Sequence, residues 1–159
     1  MPKNKNQSRK VVIDGQNIAF WPCSRMSPKD WDLVISAAKF YSEKGTSVVV
    51  FLPIHFYHRF DDNYRKLLRQ YSVIQVVDCG DDKEMDDKLI VGYAKLMDCF
   101  YLSNDKKMCK HFQDNNLESR AWCERHRIEF SFDKQGLFIP KSDIFEKNEP
   151  SLNDSEALA

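Results

Sequence analysis

Val11-Val12-Ile13-Asp14-Gly15-Gln16-Asn17 is the stretch on which the fold turns. Three β-favouring apolar residues run straight into an acidic residue, a glycine and an asparagine. A strand buried on both faces of an α/β sheet reads this way, with no polar alternation and a turn at its carboxyl end. In such sheets ligands bind outside the carboxyl ends of the strands. A carboxylate delivered there points to a metal or phosphate site and directs attention to the other acidic residues.

The elements alternate on either side of that strand. Lys10 to Ile13 is strand one, and residues 21 to 30, with Pro22, Ser24, Ser27 and Pro28, read as a loop. Trp31, Val34, Ile35, Ala38 and Tyr41 recur at helical spacing, which predicts a helix over Trp31 to Lys44 closed by Gly45. Ser47 to Leu52 is a second fully apolar strand, broken by Pro53. A short helix is expected over Asp61 to Tyr71 with Tyr64, Leu67 and Leu68 inward, then a third strand over Val73 to Val77. After the acidic loop Asp78 to Glu84 comes an amphipathic helix, Met85 to Met97, apolar at Met85, Leu89, Ile90, Tyr93, Leu96 and Met97. Cys99 to Leu102 is a fourth strand, and a helical stretch carries Met108, Phe112, Leu117 and Trp122. Ile128 to Phe132 is a fifth strand, followed by a turn at Lys134-Gln135-Gly136 and a short strand over Leu137 to Ile139. This alternation predicts an α/β fold with a mainly parallel central sheet and helices on both faces, joined by right-handed crossovers. The expected division is a disordered leader over residues 1–9, one domain over 10–145 and a flexible tail over 146–159.

The bulk numbers fit that picture. A chain of 159 residues with 42% hydrophobic and 13% aromatic residues can bury the core of one domain. Its 24 basic and 24 acidic residues cancel, so any case for nucleic acid rests on local patches. No apolar run approaches the ~18 residues of a membrane span, and the polar, basic start does not read as a secretory signal. Five cysteines without paired spacing fit a reducing cytosolic or nuclear compartment.

Three acidic positions fall on the expected crevice. Asp14 follows strand one, Asp86 and Asp87 open the helix before strand four, and Asp105 follows strand four after Ser103 and Asn104. Strands one and four would be neighbours in a doubly wound order. Each residue also has a plainer reading: Asp86 and Asp87 as helix-dipole partners, Asp105 as an N-cap, Asp14 as a turn residue. Their landing on one rim favours a metal, because converging carboxylates repel unless a cation neutralises them. Oxygen ligands with no histidine nearby in sequence point to Mg²⁺ or Mn²⁺ rather than zinc. No glycine-rich nucleotide loop follows strand one. Gln16 stands where a haloacid-dehalogenase-type phosphatase needs its second aspartate. Cys109-x-His111 with Cys123-x-x-His126 has irregular zinc spacing, and the other cysteines read as core fillers.

Val12-Ile13-Asp14-Gly15-Gln16-Asn17 after a basic leader, Met85-Asp86-Asp87-Lys88 opening a helix, and Leu102-Ser103-Asn104-Asp105 after strand four occur in one order. With the late Ile139-Pro140 and Pro150-Ser151-Leu152, they resemble the NYN-type PIN-like ribonuclease domain of the Regnase (CCCH zinc-finger twelve) family, over about residues 10–152. The resemblance implies a PIN-like three-layer fold and Mg²⁺-dependent, or Mn²⁺-dependent, endonuclease cleavage of single-stranded or loop RNA in RNA decay or silencing. It implies homo- or hetero-oligomers through this domain, no membrane, and a cytoplasmic setting, with RNA granules or the nucleus as alternatives. Carried over by position, Asp14, Asp86, Asp87 and Asp105 would form the metal centre, with Asp14, Asp87 and Asp105 catalytic. Asn17, Ser103 and Asn104 would contact RNA.

The chain departs from the family pattern in two places. The pattern carries a further aspartate four residues after that of Ser-Asn-Asp, where this chain has Cys109, a poor Mg²⁺ ligand. The loop before the acidic helix, basic in the family, is Asp81-Asp82-Lys83-Glu84. No zinc-finger pattern is present. These departures leave a second expectation open, a catalytically degenerate domain that binds RNA or scaffolds proteins. Local basic residues for RNA remain at Arg59, Arg65, Lys66 and Arg69 and at Lys106, Lys107 and Lys110, and the aromatic run Phe56-Tyr57-His58-Arg59-Phe60 reads as stacking residues or as core.

Overall fold

Along β1 (Lys10–Asp14) successive side chains leave opposite faces of the sheet, and both faces are covered. Val11 and Ile13 enter one apolar core and Val12 enters the other. β2 (Ser47–Pro53) repeats the division, with Val48, Val50 and Leu52 on the first side and Val49 and Phe51 on the second. Double burial is why both segments are written as unbroken apolar runs. The computed structural model of the chain describes residues 9–21, 30–82, 84–111 and 117–142.

After β1 come α1 (Gly15–Ala19) and α2 (Asp30–Glu43), which lead to β2; α3 (Ile54–Arg59) and α4 (Asp62–Tyr71) lead to β3 (Val73–Val77). The chain then crosses back through α5 (Met85–Met97) to β4 (Phe100–Leu102), and through a 3-10 turn (Lys106–His111) and α6 (Leu117–His126) to β5 (Arg127–Ile128). The five strands are parallel in the order β3-β2-β1-β4-β5. Ile18 of α1, Trp31, Val34, Ala38 and Tyr41 of α2, and Leu68 of α4 pack on one face; Ile90, Val91 and Ala94 of α5, Met108 and Cys123 pack on the other. A separate antiparallel hairpin, β6 (Phe130–Phe132) with β7 (Phe138–Pro140), closes the first core with three phenylalanines. This is a three-layer PIN-like α/β fold, and its strand order reverses between β1 and β4.

Several expectations change. The fifth strand is two strands, because the Asn104 side chain takes both backbone groups of Phe130 (Phe130 N to Oδ1 2.9 Å, Nδ2 to Phe130 O 3.0 Å) and draws it out of the ladder. α1 and α3 had no predicted counterpart. Leu67, expected inward, is exposed, as are Leu89, Leu96 and Met97 on α5. The buried stripe of α5 is Asp86, Ile90, Val91 and Ala94, so the inward face includes an acid. The aromatic run is helical through Arg59 and extended at Phe60, and Phe56 and Phe60 in it are core. The leader, apart from Arg9, the interior of the 21–30 loop, Phe112 and the 146–159 tail lie outside the described residues. Among the described residues no helix is long and apolar enough to cross a membrane.

Gly15 lets α1 start directly against β2. A Cβ on it would run into Leu52 Cδ2 and lie 3.0 Å from the Phe51 carbonyl oxygen, a backbone atom that cannot swing away. Gly15→Ala is therefore expected to destabilise the domain by roughly 1–3 kcal/mol, the range of core overpacking. Urea unfolding would register this as a lower midpoint at unchanged m-value, and an unchanged midpoint would contradict the packing argument.

Candidate active site

Side-chain parity aims the residues at the carboxyl edge. Asp14 shares the face of Val12, the side on which α5 packs. On β4, Tyr101 lies in that same second core, and Ser103, two residues on, meets Asp14. Asp14 is 4% exposed and ends β1 as the N-cap of α1. The Asn17 N–H donates to one of its carboxylate oxygens (3.3 Å) and the Ser103 hydroxyl to the other (3.1 Å).

The segment after β4 is tied down atom by atom. Ser103 N–H donates to Ile128 O (3.1 Å), and Arg127 Nη1 donates to Ser103 O (3.2 Å). Ser103 Oγ accepts Asp105 N–H (3.1 Å), and Asn104 N–H donates to Asn17 Oδ1 (2.8 Å). Asp105 Oδ1 accepts the Lys107 N–H (2.9 Å), so it caps the 3-10 turn while facing the cleft. Asp86 and Asp87 come from the first turn of α5, Asp86 buried and Asp87 half-buried.

The cleft is lined by Asp14, Gln16, Asn17, Phe20, Asp86, Asp87 and Asp105. All four predicted carboxylates are thus brought together. Ser103 is fully buried and Asn104 is consumed by Phe130 and Asn17, so both act as framework of the cleft. Lys106 and Lys107 are exposed just beyond Asp105, and Arg59 is exposed at the end of α3; none of the three lines the cleft. Cys109 does not reach it either. It lies 2% exposed in the second core, joined to Cys123 by a disulfide with the Tyr101 hydroxyl alongside (3.6 Å from Cys109 Sγ). The 3-10 geometry turns it away from Asp105, which corrects the expectation that an α-helical spacing would align the two. The bridge also removes both cysteines from the zinc pattern.

Gln16, Phe20 and His55 gave no signal in sequence. The first two lie four apart, and the capped turn beginning at Asp14 would have placed them on one side. His55, exposed at the start of α3, sits close enough to Asp86 to act on its charge, so a histidine does stand near the carboxylates.

Crowded like charges leave their mark on titration. Burial, then the charge of Asp86, push Asp14 up to about 7 against the lowering bonds from Asn17 and Ser103. Burial, then Asp14, Asp86, Asp105 and Glu84, push Asp87 up to about 8. Burial also raises Asp86, opposed by backbone N–H groups and His55. Glu84, from the acidic loop, thus adds to the negative field. Such a donor set, all carboxylate oxygen and short of positive charge, fits a hard divalent cation. Among the described residues no three acid, histidine or cysteine side chains close on one point. An open carboxylate cleft suits Mg²⁺, which keeps several of its waters.

Residues 7–154 match the sequence profile of the family described as the Zc3h12a-like Ribonuclease NYN domain. No curated protein matches the chain. Among solved structures it is similar to Arabidopsis thaliana nuclear protein-only RNase P 2 (PRORP2), with a TM-score of 0.59 and 17% identity over 84% of this chain. The likeness is one of fold, and it takes in 30% of that protein.

Two outcomes follow from the site. A carboxyl whose folded pKa is raised has its stabilising effect in full below the unfolded value of 3.8 and loses it as pH rises through about 7. In EDTA the domain is thus expected to weaken from pH 4 to pH 8, and Asp14→Asn to be more stable than wild type by roughly 1–3 kcal/mol at pH 8 with no gain at pH 4. Parallel urea curves at the two pH values test this; equal stabilities at pH 8 would refute it. Cys109→Asp is expected to lower stability by roughly 3 kcal/mol or more, because it breaks a disulfide and buries an unpaired charge in the second core. Thermal melting, paired with a Mn²⁺ titration that shows no tighter binding, checks that it supplies no ligand.

Proposed function

Because this chain belongs to the family of Zc3h12a-like ribonuclease NYN domains, we propose that its cleft cuts single-stranded or loop RNA as a divalent-metal-dependent endonuclease in RNA decay or silencing, in the cytoplasm. One observation carries the reading: Asp14, Asp86, Asp87 and Asp105 line a single cleft at the β1–β4 reversal, with Asp14 and Asp87 held in the neutral range by burial and by the charge of neighbouring carboxylates. Membership supports an RNase-type activity, and the carboxylate set supports the metal.

Asp14, Asp86, Asp87 and Asp105 would hold the ion. When bound, Mg²⁺ or Mn²⁺ supplies Lewis-acid stabilisation of the charge that builds on the phosphoryl oxygens. The protein's share is preorganisation. Asp14 cannot rotate, since each carboxylate oxygen accepts a different donor from a different segment. Asp105 is fixed from both sides, its N–H by Ser103 and its carboxylate by Lys107. Four acids in one cleft also repel an RNA backbone, so the substrate must draw on cations outside it, and exposed Lys106, Lys107 and Arg59 are placed for that.

A second reading has its own observation. The position where the family pattern continues with an aspartate is here a core cysteine, and Glu84 adds negative charge where the family loop is basic. A domain so altered would bind RNA or proteins without cutting. The two separate in one assay. Wild type is expected to cleave a single-stranded RNA with Mg²⁺ or Mn²⁺ and not with EDTA, and Asp14→Asn to lose at least about 100-fold, since even groups that only support a metal ligand cost 10–100-fold. A wild type inert with both ions at high protein concentration, yet still binding RNA, would establish the second reading over the first.

A further inference from the structure

A nuclease cleft built of acids needs a separate place to grip its substrate, and the β2 side of this cleft has one. The Phe56 ring, buried in α3, is a hub. Phe20, which lines the cleft, meets it edge-on with centroids 5.2 Å apart. The His55 ring lies 4.6 Å away, and the Arg59 guanidinium 5.8 Å from the Phe56 centroid. Phe20 is half-buried, while His55 and Arg59 are exposed. One buried ring thus joins a cleft-lining aromatic side chain to two N–H donors beside it. The wall stands on the opposite side of β1 from Lys106 and Lys107, because β2 and β4 flank β1 on either hand.

Unpaired nucleotides are recognised by this combination. Bases stack on aromatic faces with little regard to sequence, and neighbouring cations follow the backbone. A base pair could not use it, since a stacked base must first leave its helix. We propose that Phe20, His55 and Arg59 form the platform for the unpaired nucleotide beside the scissile phosphate, its base on Phe20 and its next phosphate on the His55 imidazole and the Arg59 guanidinium. The proposal rests on the nuclease reading and adds to it a route: the strand enters over Lys106 and Lys107, crosses the acids and leaves over α3. It also makes single-strandedness a requirement set by Phe20.

The test uses the domain carrying Asp14→Asn, so that RNA is bound and not cut, with a fluorescent single-stranded RNA in Mn²⁺ read by anisotropy. Phe20→Leu keeps an apolar side chain against Phe56 and removes the ring face. It is expected to weaken binding by about tenfold. An RNA with one abasic nucleotide at the matching position should lose as much, and the two changes together no more than either alone. Arg59→Ala should reduce the slope of log K against log salt by about 0.7, the value for one phosphate contact on a single strand, and His55→Ala should weaken binding through the loss of its N–H donor. If the three variants melt like the parent and bind with its affinity and salt slope, the platform is wrong. Mn²⁺-dependent cleavage by wild type would in that case leave the nuclease reading standing. A parent that binds no RNA, beside a wild type that cuts none, overturns both.

Discussion

Two hydrogen bonds to one buried carboxylate hold the functional edge together. Asn17 N–H and the Ser103 hydroxyl bond the two oxygens of Asp14 and so join β1, the turn of α1 and the segment after β4 at one side chain. The Ser103 oxygen passes the tie on to Asp105, and Asn17 passes it on to Asn104 through its own side-chain oxygen. From Asn104 the chain of bonds reaches Phe130 and splits the fifth strand from the hairpin. The positions of two acids and the path of the last third of the domain therefore depend on the same carboxylate. The bonds from Asn17 and Ser103 favour its charged form, but burial and Asp86 outweigh them, and the group rests near 7.

That balance is affordable only because the edge is carried by a rigid sheet. Parity does the aiming: Asp14 and Ser103 point toward α5 because Val12 and Tyr101, two residues before each, are packed there. A slip of one residue in either strand would send its side chain to the α2 face. Both strands are buried on two sides, so such a slip would also put every apolar side chain out of register with its neighbours. The reversal of strand order between β1 and β4 opens the crevice, and α5 crosses above it with Asp86 on its buried stripe. Like-charge repulsion at the edge is thus opposed by the packing of two apolar cores. A bound cation would relieve the repulsion directly.

Where the sequence was legible, the reason was local. An apolar run ending in Asp14-Gly15, an acid pair at a helix start and Ser-Asn-Asp after a strand each carry their meaning within a few residues. Parallel topology then brings them to one rim. Sequence reading failed where a neighbour far along the chain decides. Asn104 fixes the break at Glu129, though Ile128 to Phe132 reads as one strand. α1 and α3 are too short to show a helical period. On α5 the leucines and methionine at Leu89, Leu96 and Met97 are exposed, because the side bearing Asp86, with Ile90, Val91 and Ala94, is the one packed on the sheet. Cys109 reads as a missing ligand only if the residues after Asp105 are taken as α-helix; in a 3-10 turn the same spacing points into the core beside Cys123.

The same dependence explains how a chain with no net charge can serve a polyanion. Opposite charges are separated by position: acids are gathered at the strand ends, and cations stand on elements that flank them, Lys106 and Lys107 after β4 and Arg59 after β2. At physiological ionic strength screening acts over about 8 Å, so groups on the two flanks are felt by different phosphates of a bound strand and the central acids chiefly by the one between. An extended single strand spans both flanks with its bases free to turn toward Phe20. A duplex keeps its bases stacked inward and offers that ring nothing. On the proposed platform, selectivity for unpaired RNA would follow from where one aromatic side chain meets the cleft, with no base-specific hydrogen bond required.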